Sequence, residues 1–248
     1  ALGKLRLWIG AKIIRFCLRT CDAIAYNSQY VRRKLGPFVS DDAFEEVVHN
    51  PFTESRQNEV VASEDLPAAG LRLLTVTNMK FKAKVNPTIR AIVDWMCPEI
   101  WGKYNVHWIV LGDGKYIRRL KCAVTDNSLD DYVSVLGWVE DPFKYYSWCD
   151  VYVHMTNLDA FPNATMEAMS QGCPVITNEK SCGVREQVIN GENGYIVSSK
   201  VEFQSSLKKY AMHPEIRQKH GQSGKHMVET NWTVERQKRK MNDLLSLL

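Results

Sequence analysis

From Leu71 onward the sequence alternates short apolar runs with helix-forming stretches, and few folds accommodate that order. The apolar runs predict strands at 71–77, 106–111, 133–136, 150–154, 174–177 and 194–197. The stretches between them predict helices at about 86–96, 115–125, 142–148, 163–171 and 200–211. Strands separated by helices make βαβ units, so the expected fold is α/β, a Rossmann-like parallel sheet flanked by helices. Ligands of such sheets bind at the carboxyl ends of the strands. The segments that follow each strand are therefore where function is sought.

Bulk properties remove several classes. A chain of 248 residues suits one large or two small domains. No apolar run approaches the ~20 residues of a spanning helix, and charges interrupt residues 1–21 throughout, unlike a signal peptide. Seven cysteines are scattered without a Cys-x-x-Cys pair, which points to neither zinc nor a disulfide framework and suits a reducing, cytoplasmic setting. The net charge of +4 is uneven: residues 1–34 carry eight Lys/Arg and one Asp, so the rest of the chain is slightly acidic. No nucleic-acid partner is expected from such a body. Residues 3–20 form an amphipathic pattern, with Leu5, Ile9, Ile13 and Phe16 on one face and Lys4, Lys12, Arg15 and Arg19 on another. Packing against a neighbouring element is the favoured reading, and peripheral contact of residues 1–20 with an anionic membrane surface is the competing one.

Four strand ends carry candidate chemistry. After the first lies Thr77-Asn78-Met79-Lys80-Phe81-Lys82-Ala83-Lys84, three lysines in five residues that can neutralise a diphosphate or simply form a solvated basic loop. After the second, Gly112 and Gly114 in Leu111-Gly112-Asp113-Gly114 let the backbone approach a ligand closely, although Ile117 breaks the dinucleotide fingerprint. After the third comes Gly137-Trp138-Val139-Glu140-Asp141-Pro142-Phe143-Lys144, which is also a turn into a helix with Asp141 as N-cap. After the fourth, a loop with Asp159 feeds a helix that starts at about Asn163, a good N-cap residue, and carries Glu167 in its first turn. The free N–H groups of that helix start favour an anion. A nucleoside diphosphate fits there, with two carboxylates to accept hydrogen bonds from sugar hydroxyls; a plain strand–loop–helix connection with solvated acids fits as well.

The frame Asp159, seven residues, Glu167, with Phe161-Pro162-Asn163 and Glu167-Ala168-Met169 in place, resembles the acidic signature of the retaining GT-B glycosyltransferases, particularly glycosyltransferase family 4. Asp159 stands where that signature has Glu, and Ala160 where it usually has Gly. Gly172-Cys173-Pro174-Val175-Ile176, Gly183-Val184-Arg185-Glu186 and Asn190-Gly191-Glu192-Asn193-Gly194 continue the resemblance, which covers about residues 20–248 and lies in the order of weak motifs. It implies a GT-B fold whose first domain is largely absent. Residues 1–52 would be the end of an acceptor domain and its link, 53–230 the nucleotide-sugar domain, and 231–248 a helix crossing back.

The resemblance also implies roles. Lys84 takes the place of the diphosphate-binding lysine; Asn78 stands where the family has Arg, with Lys80 or Lys82 to compensate. Gly112 and Gly114 match its Gly-x-Gly, and Val139 and Lys144 its base contacts. Phe161 belongs to the signature loop, and the backbone N–H groups of Asn163 and Ala164 join Lys84 in holding the departing diphosphate. Glu167 would hold the ribose, and Asp159 the donor sugar near its 3-hydroxyl. The implied reaction moves a sugar from a nucleotide-diphosphate sugar, as substrate, to an acceptor glycan or lipid-linked acceptor with retention, and needs no metal or other cofactor. The expected location is the cytoplasm or the cytoplasmic face of a membrane. A non-catalytic half that binds nucleotide sugar and needs a partner chain for the acceptor domain is the main alternative. A glycoside hydrolase also uses paired acids, but it has no use for a lysine cluster.

Overall fold

The computed structural model describes residues 12–53 and 66–248. The chain divides into two compact units: the described residues up to Pro51 together with Trp232–Leu248, and Phe52–Asn231.

The first unit pairs two short parallel strands, β1 (Ala23–Tyr26) and β2 (Phe44–Val47). Helix α1 (Gln29–Leu35) joins them, started by the Ser28 hydroxyl, which accepts from the Val31 N–H. The chain's last helix, Val234–Leu245, is capped in the same way by Thr233, and its Lys240 reaches both Glu46 and the Val47 carbonyl at 2.9 Å. Residues 12–20 are helical. Leu18 is buried there, whereas Ile13, Ile14 and Phe16 are exposed, so the face expected to pack does not pack at Ile13 and Phe16. Residues 3–11 of that amphipathic pattern lie outside the described residues.

The second unit holds the expected sheet. Six parallel strands, β3 (Leu71–Val76), β4 (Val106–Leu111), β5 (Val133–Gly137), β6 (Val151–His154), β7 (Val175–Asn178) and β8 (Gly194–Val197), lie in the order β5-β4-β3-β6-β7-β8. Their near-continuous apolar sequences follow from burial on both faces: Leu73, Trp108, Val110, Val153 and Ile176 are all within 1 % of full burial. The chain first winds outward from β3 to β5 and then returns to place β6 on the other side of β3. The switch point therefore lies between β3 and β6, where such sheets open a crevice for ligands.

Three helices around this crevice concern the site: α2 (Lys82–Arg90) after β3, α5 (Phe143–Trp148) after β5, and α6 (Asn163–Ser170) after β6; α3 (Pro98–Lys103) and α4 (Ile117–Asp126) flank β4. Helix α2 begins four residues earlier than the sequence pattern predicts, and its last residue runs into a π turn over Ala91–Trp95. Lys82 and Lys84 are therefore in a helical first turn, not in a loop. Helix α6 begins at Asn163 itself, with Pro162 at the cap position, so Asn163 is the first helical residue rather than the N-cap. Helices α3 and Pro214–Asn231 have no counterpart in the pattern reading. Among the described residues, no helix is long and apolar enough to cross a membrane.

Candidate active site

The glycines after β4 join the first two strand ends. Gly112 has φ +123°, and a Cβ there would lie 1.9 Å from the Thr77 carbonyl oxygen. At Gly114 a Cβ would meet the Met79 and Lys80 backbone within 2.7 Å. Close backbone packing, sealed by Met79 N–H to the Asp113 carbonyl (2.9 Å) and Tyr116 N–H to the Met79 carbonyl (3.1 Å), is what requires glycine here. Asn78 turns its side-chain oxygen back on its own loop and accepts the Lys80 N–H at 2.9 Å. Lys82 reaches over the Tyr116 ring, 6.0 Å from its centre. Lys80 is exposed.

Lys84 behaves differently. Its ammonium crosses the switch point and pairs with Asp159 Oδ1. The geometry that permits this starts with a proline. Pro87 lies inside α2 and has no N–H to give the Ala83 carbonyl. That carbonyl instead accepts the N–H of Asn157 at 2.9 Å, which ties the loop after β6 to the helix that carries Lys84. The same loop is held from the other side. The Asn178 side chain accepts the Thr156 N–H (2.9 Å) and donates to the Asn157 side chain (3.0 Å). Gly183 N–H donates to the Asp159 carbonyl at 2.9 Å. A Cβ on Gly183 would fall 1.4 Å from the Ala160 oxygen. Phe161, in the same loop, is buried.

Asp159 is crowded with partners. Its Oδ2 lies 3.1 Å from His154 Nε2 and accepts the Thr156 hydroxyl at 3.0 Å. Its side chain is only 10 % exposed. Burial pushes this carboxyl up, but the hydrogen bonds and charges of His154 and then Lys84 outweigh burial and hold it below its ordinary range. Glu167, one turn into α6, has the opposite balance. Burial pushes its carboxyl up, and a 2.8 Å hydrogen bond from the Tyr146 hydroxyl only partly pulls it back. Tyr146 is itself fully buried on α5, and burial raises its phenol well above the usual value, so it stays a donor. Lys144, two residues earlier on α5, lies over the Tyr145 ring at 5.0 Å, and Val139 is half-buried after β5. Asn163 and Ala164 stand at the start of α6, between the two carboxylates in sequence.

So the structure joins Lys84 to Asp159 and sets Glu167 on the helix that follows. It leaves Asn78, Lys80, Lys82, Val139 and Lys144 out of the hydrogen-bond network of the two carboxylates, among the described residues. Sequence reading missed His154, Thr156 and Tyr146. A histidine closing a buried apolar strand five residues before an acid was the available signal for the first. A cavity of about 300 Å³ lies beside this network rather than on it, with Asn86, Arg90, Asn157, Asn178 and Lys180 in its lining. Among the described residues no group of three or more His, Cys, Asp or Glu is placed to hold a metal ion.

The doubly wound parallel sheet is of the α/β class, and the structures it is similar to are glycosyltransferases of the GT-B type, of which it covers only part. The chain is similar to Anabaena HepE solved with UDP bound (TM-score 0.78, 18 % identity, 95 % of this chain and 66 % of that one). It is also similar to Thermosynechococcus elongatus sucrose-phosphate synthase (TM-score 0.78, 20 % identity, 94 % of this chain and 60 % of that one). Residues 71–211, more than half of the chain, match the family of glycosyl transferases group 1, and the chain belongs to it. In sequence it is 30 % identical over 143 residues to the Staphylococcus aureus capsular polysaccharide biosynthesis glycosyltransferase CapM, covering 52 % of this chain and 35 % of that one. It is 28 % identical over 88 residues to a Bacillus subtilis poly(glycerol-phosphate) alpha-glucosyltransferase, covering 36 % of this chain and 13 % of that one. The chain thus spans about a third or less of these two relatives' length.

Proposed function

We propose that this chain holds the donor half of a retaining glycosyltransferase of family 4, which moves a sugar from a nucleoside-diphosphate sugar to an acceptor. The observation that carries the reading is the Lys84–Asp159 pair across the β3/β6 crevice, with Glu167 on the helix beyond. Lys84 and the first N–H groups of α6, at Asn163 and Ala164, offset the charge that develops on the departing diphosphate. Glu167 accepts the ribose hydroxyls, and Asp159 meets the sugar. Val139 and Lys144 border the base. The reaction needs no metal in this reading, so EDTA leaves it unchanged.

The relatives' names point to polysaccharide or lipid-linked acceptors; one is the N-acetylgalactosamine-N,N'-diacetylbacillosaminyl-diphospho-undecaprenol 4-alpha-N-acetylgalactosaminyltransferase of Campylobacter jejuni. The exposed Ile13, Ile14 and Phe16, interleaved with Lys12, Arg15 and Arg19, support contact with an anionic membrane surface. Co-sedimentation with phosphatidylglycerol vesicles, and none with neutral ones, is the expected result.

Thermal unfolding against UDP, GDP, ADP and CDP tests the donor site. A ligand at 100 times its dissociation constant stabilises by ~2.7 kcal/mol, a shift of several degrees. Retention is checked by the anomeric configuration of the product. Binding without transfer by the isolated chain would favour the reading as a nucleotide-sugar-binding half that needs a partner domain. No shift with any of the four nucleotides would overturn the donor site.

A further inference from the structure

We propose that His154 is a positioning residue that keeps the Asp159 carboxylate compensated when Lys84 turns from it to a diphosphate. The inference rests on the donor reading above.

A nearly buried carboxylate needs partners, because water no longer supplies them. Asp159 has three: Lys84 on Oδ1, and His154 and Thr156 on Oδ2. The ammonium that pairs with Asp159 is also the cation assigned to the diphosphate. Each bond it makes to phosphate is at the expense of Asp159. Removing one partner from a buried charge is costly unless the others suffice. Thr156 offers a neutral hydroxyl. His154 is the only other donor on that carboxylate that can carry charge, among the described residues.

The protons around His154 support the assignment. The Tyr152 hydroxyl has one proton and two acceptors in reach: the Val76 carbonyl at 3.0 Å and His154 Nδ1 at 3.1 Å. Tyr152 is buried, and burial raises its phenol well above the usual value, so the proton stays. If that proton goes to Val76, Nδ1 must donate to the Tyr152 oxygen, and Nε2 keeps a hydrogen only in the imidazolium. If it goes to Nδ1, the ring is neutral with its hydrogen on Nε2. In both arrangements Nε2–H points at Asp159. The remaining tautomer, with Nδ1 protonated and Nε2 bare, would set a lone pair against a carboxylate.

The ring is also fixed in place. It stacks on Tyr152 two residues back, with centres 5.8 Å apart and planes 26° from parallel. The His154 carbonyl accepts the Thr177 hydroxyl of β7 at 2.8 Å, and the Val153 carbonyl accepts the Thr75 hydroxyl of β3 at 2.5 Å. His154 therefore stays in place when Lys84 moves, so its bond to Asp159 does not depend on where the ammonium is.

The test is a double-mutant cycle on nucleotide binding, with the nucleoside diphosphate that most stabilises the wild type and its parent nucleoside as probes. In His154→Phe the stacking ring remains but Asp159 loses a donor, and Lys84 is held more tightly. Diphosphate affinity should fall on the order of tenfold, the size of a direct charge coupling, with nucleoside affinity unchanged. His154→Gln, which keeps a donor at the Nε2 position, should restore most of the loss. In a Lys84→Ala background the His154 change should cost nothing more. Should His154→Phe fail to fold, His154→Asn, too short to reach Asp159, takes its place in the cycle. Equal losses for diphosphate and nucleoside, or additive effects with Lys84→Ala, would overturn the role of His154 alone. A wild type that binds none of the nucleoside diphosphates would overturn the donor reading, and this inference with it.

Discussion

Two carboxylates eight residues apart in sequence live in opposite surroundings. Asp159 sits on a loop clamped from both sides and carries a lysine, a histidine and a threonine on its two oxygens. Glu167 sits on a regular helix with one neutral phenol as its side-chain hydrogen-bond donor among the described residues. The first is over-compensated and its carboxyl is held down; the second is under-compensated and its carboxyl is pushed up. Desolvation opposes charge at both, and the number of cations nearby decides the sign. An acid that already holds a cation can release it to an incoming anion. A desolvated acid with little compensation is better completed by neutral donors, such as the hydroxyls of a ribose. The contrast thus fits the division of labour proposed for the donor.

The largest effect should come from the backbone clamp at the Asp159 end. Gly183→Ala forces a methyl group into the Ala160 carbonyl, whose neighbour carries the acid. Since backbone must move, the expected loss is about 3 kcal/mol, read as a lower urea midpoint at unchanged slope. An alanine variant as stable as wild type would mean that the loop is not clamped there, and the contrast between the two acids would lose its structural cause.

Next comes the cation. Lys84→Ala should weaken a nucleoside diphosphate by roughly ten- to a hundredfold, as expected for truncating one partner of a partly desolvated charge pair. The parent nucleoside should bind as before. If both weaken alike, Lys84 supports the fold of the crevice and does not meet phosphate.

Much of this was legible in the sequence, because the strands are apolar on both faces and short. The strands at 106–111 and 194–197 stand as the pattern placed them. Those at 71–77, 133–136 and 150–154 differ by a residue at one end, and that at 174–177 by a residue at both. The order of the strands was not legible, since pairing across β3 and β6 joins residues 78 apart. Helix α2 starts ahead of the sequence pattern, and Pro87, a residue type favoured at helix starts, sits mid-helix in the fold and frees a carbonyl for Asn157. Helix Pro214–Asn231 escaped notice for a different reason. Its buried face is His220, Gly221, Gly224 and Val228, so apolar periodicity had little to find. At the site, the acids and Lys84 were visible as types at a spacing. The partners of the acids were not: Tyr146 reaches Glu167 from another helix, and His154 reads as the end of a core strand.

A smaller effect should follow at the Glu167 end. Tyr146→Phe strips the buried carboxylate of its donor while keeping the ring. Leaving a buried acceptor unsatisfied costs about 1–3 kcal/mol. It should also push the Glu167 carboxyl higher still, because the phenol is what opposes burial there. The check is a carboxyl-resolved NMR titration beside a nucleotide affinity. An unmoved Glu167 titration would place its compensation elsewhere and break the contrast.

The finest test is the pH dependence of folding, where the two acids should pull in opposite directions. The folded-state carboxyl of Asp159 lies below its unfolded value, so the stability it contributes is present above the ordinary carboxylate range and is lost as pH falls through the lower folded value. The folded-state carboxyl of Glu167 lies above its unfolded value. Its burial penalty is in force at neutral pH and is relieved as pH falls through the raised value, so this acid adds relative stability on acidification. Asp159→Asn should therefore flatten the acid loss of stability, most clearly below the ordinary carboxylate range. Glu167→Gln should gain most over wild type at neutral pH and lose that advantage as the medium turns acidic, beginning above the ordinary glutamate range. Unfolding midpoints measured from neutral pH down into the acid separate the two. Stability curves for the two variants that run parallel to wild type would mean that both carboxyls titrate normally, and the over-compensated and under-compensated ends would be one environment after all.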